Sequence, residues 1–277
     1  MNICEEAKRL YIPRLMQLRE SKRAVTNSLR EDGFCSQYQD LMACLMYADL
    51  AEVEFHYTPI QVMDHNYDKD PNFIRNKELC MNFTDKFKKA DGTELKLTQH
   101  QAVFALNPDR LFACKTVNFL RKCFFEDKKR PSYYEDDKVN IGYHIRRKLP
   151  VDMNDVNDVN RKNVWDAEDN NFEYLPYFLK MYPDSILHIF CHGQEETFQR
   201  YIDLDPERVR LHLNETIEQV LTSLSFAEIQ IVSCSAIPYM AAILAEDQEV
   251  YTDILWTYMT PKSSWKPIPL IKTFAET

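Results

Sequence analysis

From about Lys138 onward, apolar runs of strand length alternate with longer amphipathic stretches, the pattern of a parallel sheet flanked by helices. Val139, Ile141, Tyr143 and Ile145 take every second position, as on a strand. Asn171 to Tyr182 reads as a helix despite Pro176, and Ile186 to Cys191 as a second apolar strand closed by His192 and Gly193. Glu195 to Ile202 reads as helix, Val209 to Leu213 as a short strand, and Glu215 to Leu224 as a helix with Asn214 as its cap. Ile229 to Ser233 then forms a strand and Pro238 to Ala245 a helix. This β-α-β-α-β-α-β-α succession is that of a doubly wound sheet, in which ligands bind beyond the carboxyl ends of the strands.

The first half is less regular. Ser36 to Ala51 is its clearest helix, with Tyr38, Leu41, Met42, Leu45, Met46 and Leu50 on a broad apolar face, and Val53 to Tyr57 reads as the strand that follows. Between Asp64 and Asp91 the sequence is polar and aromatic, with turn signals at Asp70-Pro71 and Asp91-Gly92. The charged stretch from Glu126 to Lys138, holding Pro131 and Glu135-Asp136-Asp137, reads as a linker. The expected division is therefore residues 1–135 and residues 136–277, each long enough to bury a normal core.

Composition then removes whole classes of function. Only four of the 277 residues are glycine (Gly33, Gly92, Gly142, Gly193), each far from the next. A phosphate loop of the G-x-G-x-x-G or G-x-x-x-x-G-K-[ST] kind needs several together, because only glycine gives the positive φ angles and close backbone approach involved. Ordinary kinase, Walker-type NTPase and dinucleotide-dehydrogenase readings fall away. With 34 Lys+Arg against 43 Asp+Glu the net charge is −9, and the longest basic cluster is Lys128-Lys129-Arg130, which gives no footprint for nucleic acid. Met1 to Leu10 carries Glu5, Glu6, Lys8 and Arg9 where a signal peptide would need an apolar core, and no apolar run approaches the roughly 20 residues of a membrane span. A cytoplasmic chain with no membrane span is the expectation, and its eight scattered cysteines, without C-x-x-C spacing, read as free thiols.

The chemistry concentrates in Ile141-Gly142-Tyr143-His144-Ile145-Arg146-Arg147. His144, Arg146 and Arg147 fall at the carboxyl end of a predicted strand, where guanidinium forks reach the oxygens of a bound diphosphate and neutralise a departing pyrophosphate without a metal. A pair of surface arginines after a strand accounts for the same residues. Asp203-Leu204-Asp205 and Asp68-Lys69-Asp70 match a divalent-ion tripeptide too common to carry weight, and Asp205-Pro206 reads as a turn. His188, Cys191 and His192 are zinc-ligand types, but His188 and Cys191 sit on a strand whose side chains alternate faces. No metal site is expected.

His-x-Arg-Arg after an apolar strand resembles the signature of the fucosyltransferase-like glycosyltransferases. Two further segments are similar to that family: Gly33-Phe34-Cys35-Ser36-Gln37, against its usual Gly-x-Gly-x-Gln loop, and Ser223 to Ala242, a strand ending in a Ser-x-Ser turn before a small-residue helix. The resemblance spans roughly residues 25 to 245 and implies an α/β chain of two Rossmann-like domains facing a cleft, the GT-B arrangement. Residues 1–135 would then meet an oligosaccharide acceptor and residues 136–277 would hold a nucleotide-diphosphate sugar, with no essential metal cofactor. It implies inverting transfer, with His144, Arg146, Arg147, Ser233, Ser235, Gly33, Ser36 and Gln37 on the donor. The Ser-x-Ser turn suits this physically, offering hydroxyls and N–H groups at a helix amino end. A general base, usually a carboxylate, must take the acceptor hydroxyl's proton; Asp155 and Asp152, after the arginines, and Asp64 and His65, from the first half, are the candidates, and Arg146 the group that neutralises the leaving diphosphate. Cys35 replaces the loop's second glycine and Lys148-Leu149-Pro150 the small and acidic residues after the arginines. GDP-fucose is thus the donor by resemblance, and a switched donor such as UDP-xylose fits the altered loop. A catalytically inactive carbohydrate- or protein-binding module on the same fold is the competing reading. The amino terminus also suggests an anchor-free bacterial or large-DNA-virus enzyme, such as a chlorovirus protein acting in capsid glycosylation.

Overall fold

The computed structural model describes residues 3–66, 69–97, 114–146, 172–233, 235–252 and 261–268. The chain divides into two compact units, Met1–Lys129 with Thr257–Ser263, and Arg130–Trp256 with Ser264–Thr277. Both are α/β with parallel strands.

Unit 1 runs α1 (Ile3–Ser21), β1 (Val25–Asn27), α2 (Phe34–Ala51), β2 (Phe55–His56), α3 (Phe73–Met81), β3 (Leu95–Leu97) and α4 (Lys115–Phe125). Its sheet has the order β2-β1-β3, with Val25 in register with Phe55 on one side and Leu95 on the other. Gly33 is the extended cap from which α2 starts, and Glu52 ends the helix in the left-handed conformation. α2 is buried nearly all round, with Tyr38 wedged edge-on between Phe34 (5.0 Å) and Phe83 (5.6 Å). A polar knot sits beside β2: His56 Nδ1 lies 2.5 Å from Glu94 Oε1, and Nε2 lies 3.1 Å from Glu54. The bond to Glu94 raises the His56 pKa, and the same bond holds Glu94 down to about 2.

Unit 2 runs β4 (Val139–Ile145), α5 (Leu175–Met181), β5 (Ser185–Cys191), a 3-10 turn (Glu195–Phe198) into α6 (Gln199–Ile202), β6 (Val209–Leu213), α7 (Ile217–Phe226), β7 (Ile229–Val232), α8 (Ala236–Leu244), β8 (Glu249–Thr252) and β9 (Lys266–Pro267). The strand order is β6-β5-β4-β7-β8-β9. Counted within the unit this is 3-2-1-4-5-6, the Rossmann order. One face of the sheet is apolar: Ile141, Tyr143, Leu187, Ile189 and Ile231 pack with Leu175 and Phe178 of α5 into a single buried cluster. The opposite face, by the period-two alternation of the strands, carries Asn140, Gly142, His144, His188 and Gln230. There Gly142 permits close packing: a Cβ on it would lie 3.0 Å from Leu224 Cδ2 and 3.2 Å from Ala227 Cβ.

That second face is held by a polar network centred on the fully buried Asn140. Its Nδ2 donates to Glu135 O (3.0 Å), Lys138 O (3.2 Å) and Glu228 Oε2 (3.1 Å), which leaves Oδ1 facing His188 Nε2 at 3.0 Å. His188 therefore carries its proton on Nε2, and Nδ1 accepts from His212 Nε2 at 2.9 Å. Burial, with His212, Arg210 and Arg130 nearby, lowers the His188 pKa to about 3. The stretch entering the sheet joins the network: Arg130 pairs with Glu228 at 2.6 Å, and the buried Tyr134 donates to Ser223 O at 2.8 Å.

Two local expectations shift. Of the helix expected over Asn171 to Tyr182, Asn171 lies outside the described residues and Leu175–Met181 is helical with Pro176 in its first turn, where a missing amide proton costs no hydrogen bond. The cap expected at Asn214 falls on Thr216, which forms a capping box with Gln219. Asn214 instead leaves β6 at φ 58° and clasps Gly193, accepting from its N–H and donating to its carbonyl, both at 3.0 Å.

Candidate functional site

In unit 2 the chain winds outward from β4 through β5 to β6 and returns to β7 on β4's other side. The order reverses between β4 and β7, and the carboxyl ends of those strands border the crevice in which open α/β sheets bind ligands. His144 and Arg146 come from the end of β4; Ser233 and Ser235 come from the end of β7, as it turns into α8. The structure thus brings four of the sequence-selected residues to one place.

Ser233 Oγ donates to the His144 carbonyl at 2.9 Å, tying the two strand ends together. That bond uses the hydroxyl's one proton, so in this arrangement Ser233 fastens the crevice rather than offering a proton to a phosphate oxygen. Ser235, 2% exposed, is the extended N-cap of α8 and donates its N–H to Ser233 O at 2.7 Å. α8 opens Ala236-Ile237-Pro238, and the proline removes one N–H from the first turn while leaving the helix dipole. His144 is 8% exposed; burial first, and the Arg146 cation second, lower its pKa to about 3, so the ring is neutral. Its Nδ1 is buried with no hydrogen-bond partner among the described residues. Arg146 itself is half-buried. Arg147, Asp152, Asp155 and the Lys148-Leu149-Pro150 segment lie outside the described residues.

A second gathering forms in unit 1 around Asp32. Its carbonyl accepts from Asp64 N (3.0 Å) and from Gln37 Nε2 (2.8 Å), and its Oδ1 accepts from Gly33 N (2.7 Å). Gln37 Nε2 also donates to Val62 O at 2.9 Å. Both amide protons of Gln37 are thereby committed to backbone, so this residue positions the 62–65 loop. Gly33 is needed for close approach: a Cβ there would lie 2.8 Å from His65 Cδ2. His65 takes φ 70°, rare for a side-chain-bearing residue, and is half-buried, while Asp64 is exposed and Ser36 half-buried on the first turn of α2. The sequence reading missed Arg30, Asp32 and Asp40 here; Arg30 forks between Asp32 and Asp40 at 2.7 Å each. The charged Arg30-Glu31-Asp32 run before Gly33 was the available signal.

Of the metal-like motifs, Asp68 lies outside the described residues and Asp70 accepts from Asn72 N at 2.8 Å. Asp205 pairs with Arg208 at 2.7 Å and accepts the Glu207 and Arg208 amides, a turn of the kind expected. Among the described residues no three His, Cys, Asp or Glu are grouped to hold a metal, no helix is long and apolar enough to cross a membrane, and Cys44, Cys114 and Cys123 are free thiols.

No protein-family profile matches the chain, and no curated protein does. Among solved structures it is similar to TarM at 13% identity and a TM-score of 0.32, over 52% of this chain and 28% of that one, so it spans under a third of TarM's length. It is similar to NodZ, an alpha-1,6-fucosyltransferase soaked with GDP-fucose, at 12% identity and 0.37, covering 80% of this chain and 92% of NodZ. POFUT1 in complex with GDP-fucose follows at 10% identity and 0.34, covering 91% and 79%. At these scores the likenesses carry no functional weight.

Proposed function

We propose that the chain is an inverting glycosyltransferase that moves a sugar from a nucleotide diphosphate to a glycan hydroxyl without an essential metal. The supporting observation is the crevice between β4 and β7, where a neutral, buried His144 with an unpartnered Nδ1 stands beside Arg146 and the amino end of α8. A neutral imidazole can donate one hydrogen bond to a phosphate oxygen, and a guanidinium carries the charge that grows as a diphosphate departs. Arg146, with Arg147 next in the chain, would neutralise that charge. Ser233 would hold His144 in place, and Ser235 would border the phosphates.

In the reaction the acceptor oxygen bonds to the anomeric carbon as the bond from that carbon to the β-phosphate oxygen breaks. The acceptor's proton passes to a carboxylate, with the electron pair leaving on the diphosphate. Asp152 or Asp155, following Arg147, would serve as base, with Asp64 beside His65 as the alternative from unit 1. Residues 136–277 would bind donor and residues 1–135 the acceptor glycan. The donor is GDP-fucose on the resemblance of His144-Ile145-Arg146-Arg147, or UDP-xylose given the altered segment after it.

Incubating the protein with GDP-fucose or UDP-xylose, a glycan panel and EDTA tests this. Transfer with inverted anomeric configuration, abolished in Arg146→Ala and retained in EDTA, is the expected result. Glycan binding without affinity for any nucleotide would overturn it in favour of a binding module.

A further inference from the structure

The chain's charge is distributed unevenly, and the first helix runs against the balance. Between Lys8 and Arg23 stand six basic residues, Lys8, Arg9, Arg14, Arg19, Lys22 and Arg23, with one acid, Glu20, in a chain whose net charge is −9. The helix's other acids, Glu5 and Glu6, precede this stretch. α1 packs on α2, and its Leu18 is buried. Met16, two residues away, faces the opposite side of the helix. On that outer side Arg9, Ile12, Met16 and Arg19 follow at intervals of three, four and three residues, which makes one stripe about 15 Å long. All four are exposed, Ile12 to 47% and Met16 to 53%, and so are Arg14, Lys22 and Arg23. Arg19 pairs with Glu52, an exposed contact of the kind that contributes little and exchanges readily.

Two apolar side chains set between cations on a solvent-facing helix fit a surface that is negative at its face and apolar just beneath. A bilayer with anionic headgroups has that profile: the arginines meet the headgroups while Ile12 and Met16 reach the acyl boundary. Nucleic acid would match the charges but gain nothing from Ile12 and Met16, which have no ring to stack on a base. A dry groove on an acidic protein is excluded by the helix's own backbone. Pro13 lies exposed within α1 and cannot supply the amide proton that would close on the Arg9 carbonyl, and a hydrated headgroup layer leaves water there to do so. We propose that the outer face of α1 docks on an anionic lipid surface. No helix among the described residues is long and apolar enough to cross a membrane, so the contact is peripheral. It stands whether or not unit 2 binds a nucleotide.

The test mixes the full chain with vesicles of phosphatidylglycerol and phosphatidylcholine in equal parts, and separately with vesicles of phosphatidylcholine alone, and measures co-sedimentation. Binding to the anionic vesicles only, lost as salt is raised, is the expected result. Each cation near such a surface contributes about fivefold to affinity, so Arg9→Gln combined with Arg14→Gln should weaken binding about 25-fold. Lys128→Gln with Lys129→Gln, in the other basic cluster, should leave it unchanged, and Ile12→Ser with Met16→Ser should weaken it severalfold. Hydrogen exchange on the unaltered chain gives a second reading that needs no variant: the amides of α1 should gain protection on anionic vesicles and those of Lys128 and Lys129 should not. No binding to the anionic vesicles, equal binding to phosphatidylcholine, an Arg9→Gln, Arg14→Gln chain that binds as the parent does, protection that spares α1, or tighter binding to a single-stranded oligonucleotide than to the vesicles would each overturn the proposal.

Discussion

Asn140 offers the sharpest quantitative test of the network beneath unit 2's sheet. Three acceptors depend on its Nδ2: Glu135 O at 3.0 Å, Lys138 O at 3.2 Å and Glu228 Oε2 at 3.1 Å. Asn140→Leu leaves all three, and His188 Nε2, without that partner. At about 1 kcal/mol for each lost bond, unfolding free energy should fall by about 3–4 kcal/mol. Asn140→Asp has nearly the same shape yet should be worse, because it turns an acceptor toward those three acceptors and sets a second carboxylate beside Glu228. Urea titration monitored by near-ultraviolet circular dichroism gives both values, and lowering the pH should narrow the gap between Asp and Leu as carboxylates protonate. An Asn140→Leu loss below 1 kcal/mol, or an Asp variant as stable as Leu, would refute the assigned hydrogen-bond directions.

Gly142→Ala should destabilise, since the new Cβ would lie 3.0 Å from Leu224 Cδ2 and 3.2 Å from Ala227 Cβ, and the latter cannot rotate away. Overpacking costs about 1–3 kcal/mol, partly offset by about 0.4–1 kcal/mol from the stiffer unfolded chain; thermal melting should show a net loss. The two units should respond to pH in opposite senses. His144 and His188 are lowered to about 3, chiefly by burial, so their contribution is whole above the unfolded value near 6.5 and lost as pH falls toward 3. His56 is raised, so its contribution is whole below about 6.5 and lost as pH rises through the folded value, while that of Glu94 fades only as pH falls from about 4.5 toward 2. Hydrogen exchange between pH 7 and 5, corrected for intrinsic rates, should show β4 and β5 losing protection while β2 does not; parallel behaviour would contradict these proton positions.

The second unit was readable because its strands are long and apolar on at least one face. Ser185–Cys191 is buried throughout, and Val139–Ile145 alternates cleanly. The polar residues of the hidden face broke no pattern visible in sequence: Asn140, His188 and His212 meet only after strands distant in the chain are laid side by side. Unit 1 was opaque for a different reason. Val25–Asn27 and Leu95–Leu97 have three residues each, too few to show a period of two. His144, Arg146, Ser233 and Ser235 were legible as a constellation because each sits at the exit of a strand. Gly33 and Gln37 were legible as a loop, but their hydrogen bonds and close contacts now serve His65 and the 62–65 backbone. Asp40 was invisible: inside a helix, one carboxylate among apolar neighbours reads as a solvent-facing position until its burial is known.

The most direct measurement is calorimetric titration of GDP and of UDP into the protein and into Arg146→Ala. On the proposed function at least one of them should bind. A charge-assisted hydrogen bond is worth about 1.5–3 kcal/mol, so the variant should bind about tenfold to a hundredfold more weakly with its melting temperature little changed. No binding of either nucleotide, or equal affinity in Arg146→Ala, would contradict the placement of a nucleotide-sugar site at the ends of β4 and β7.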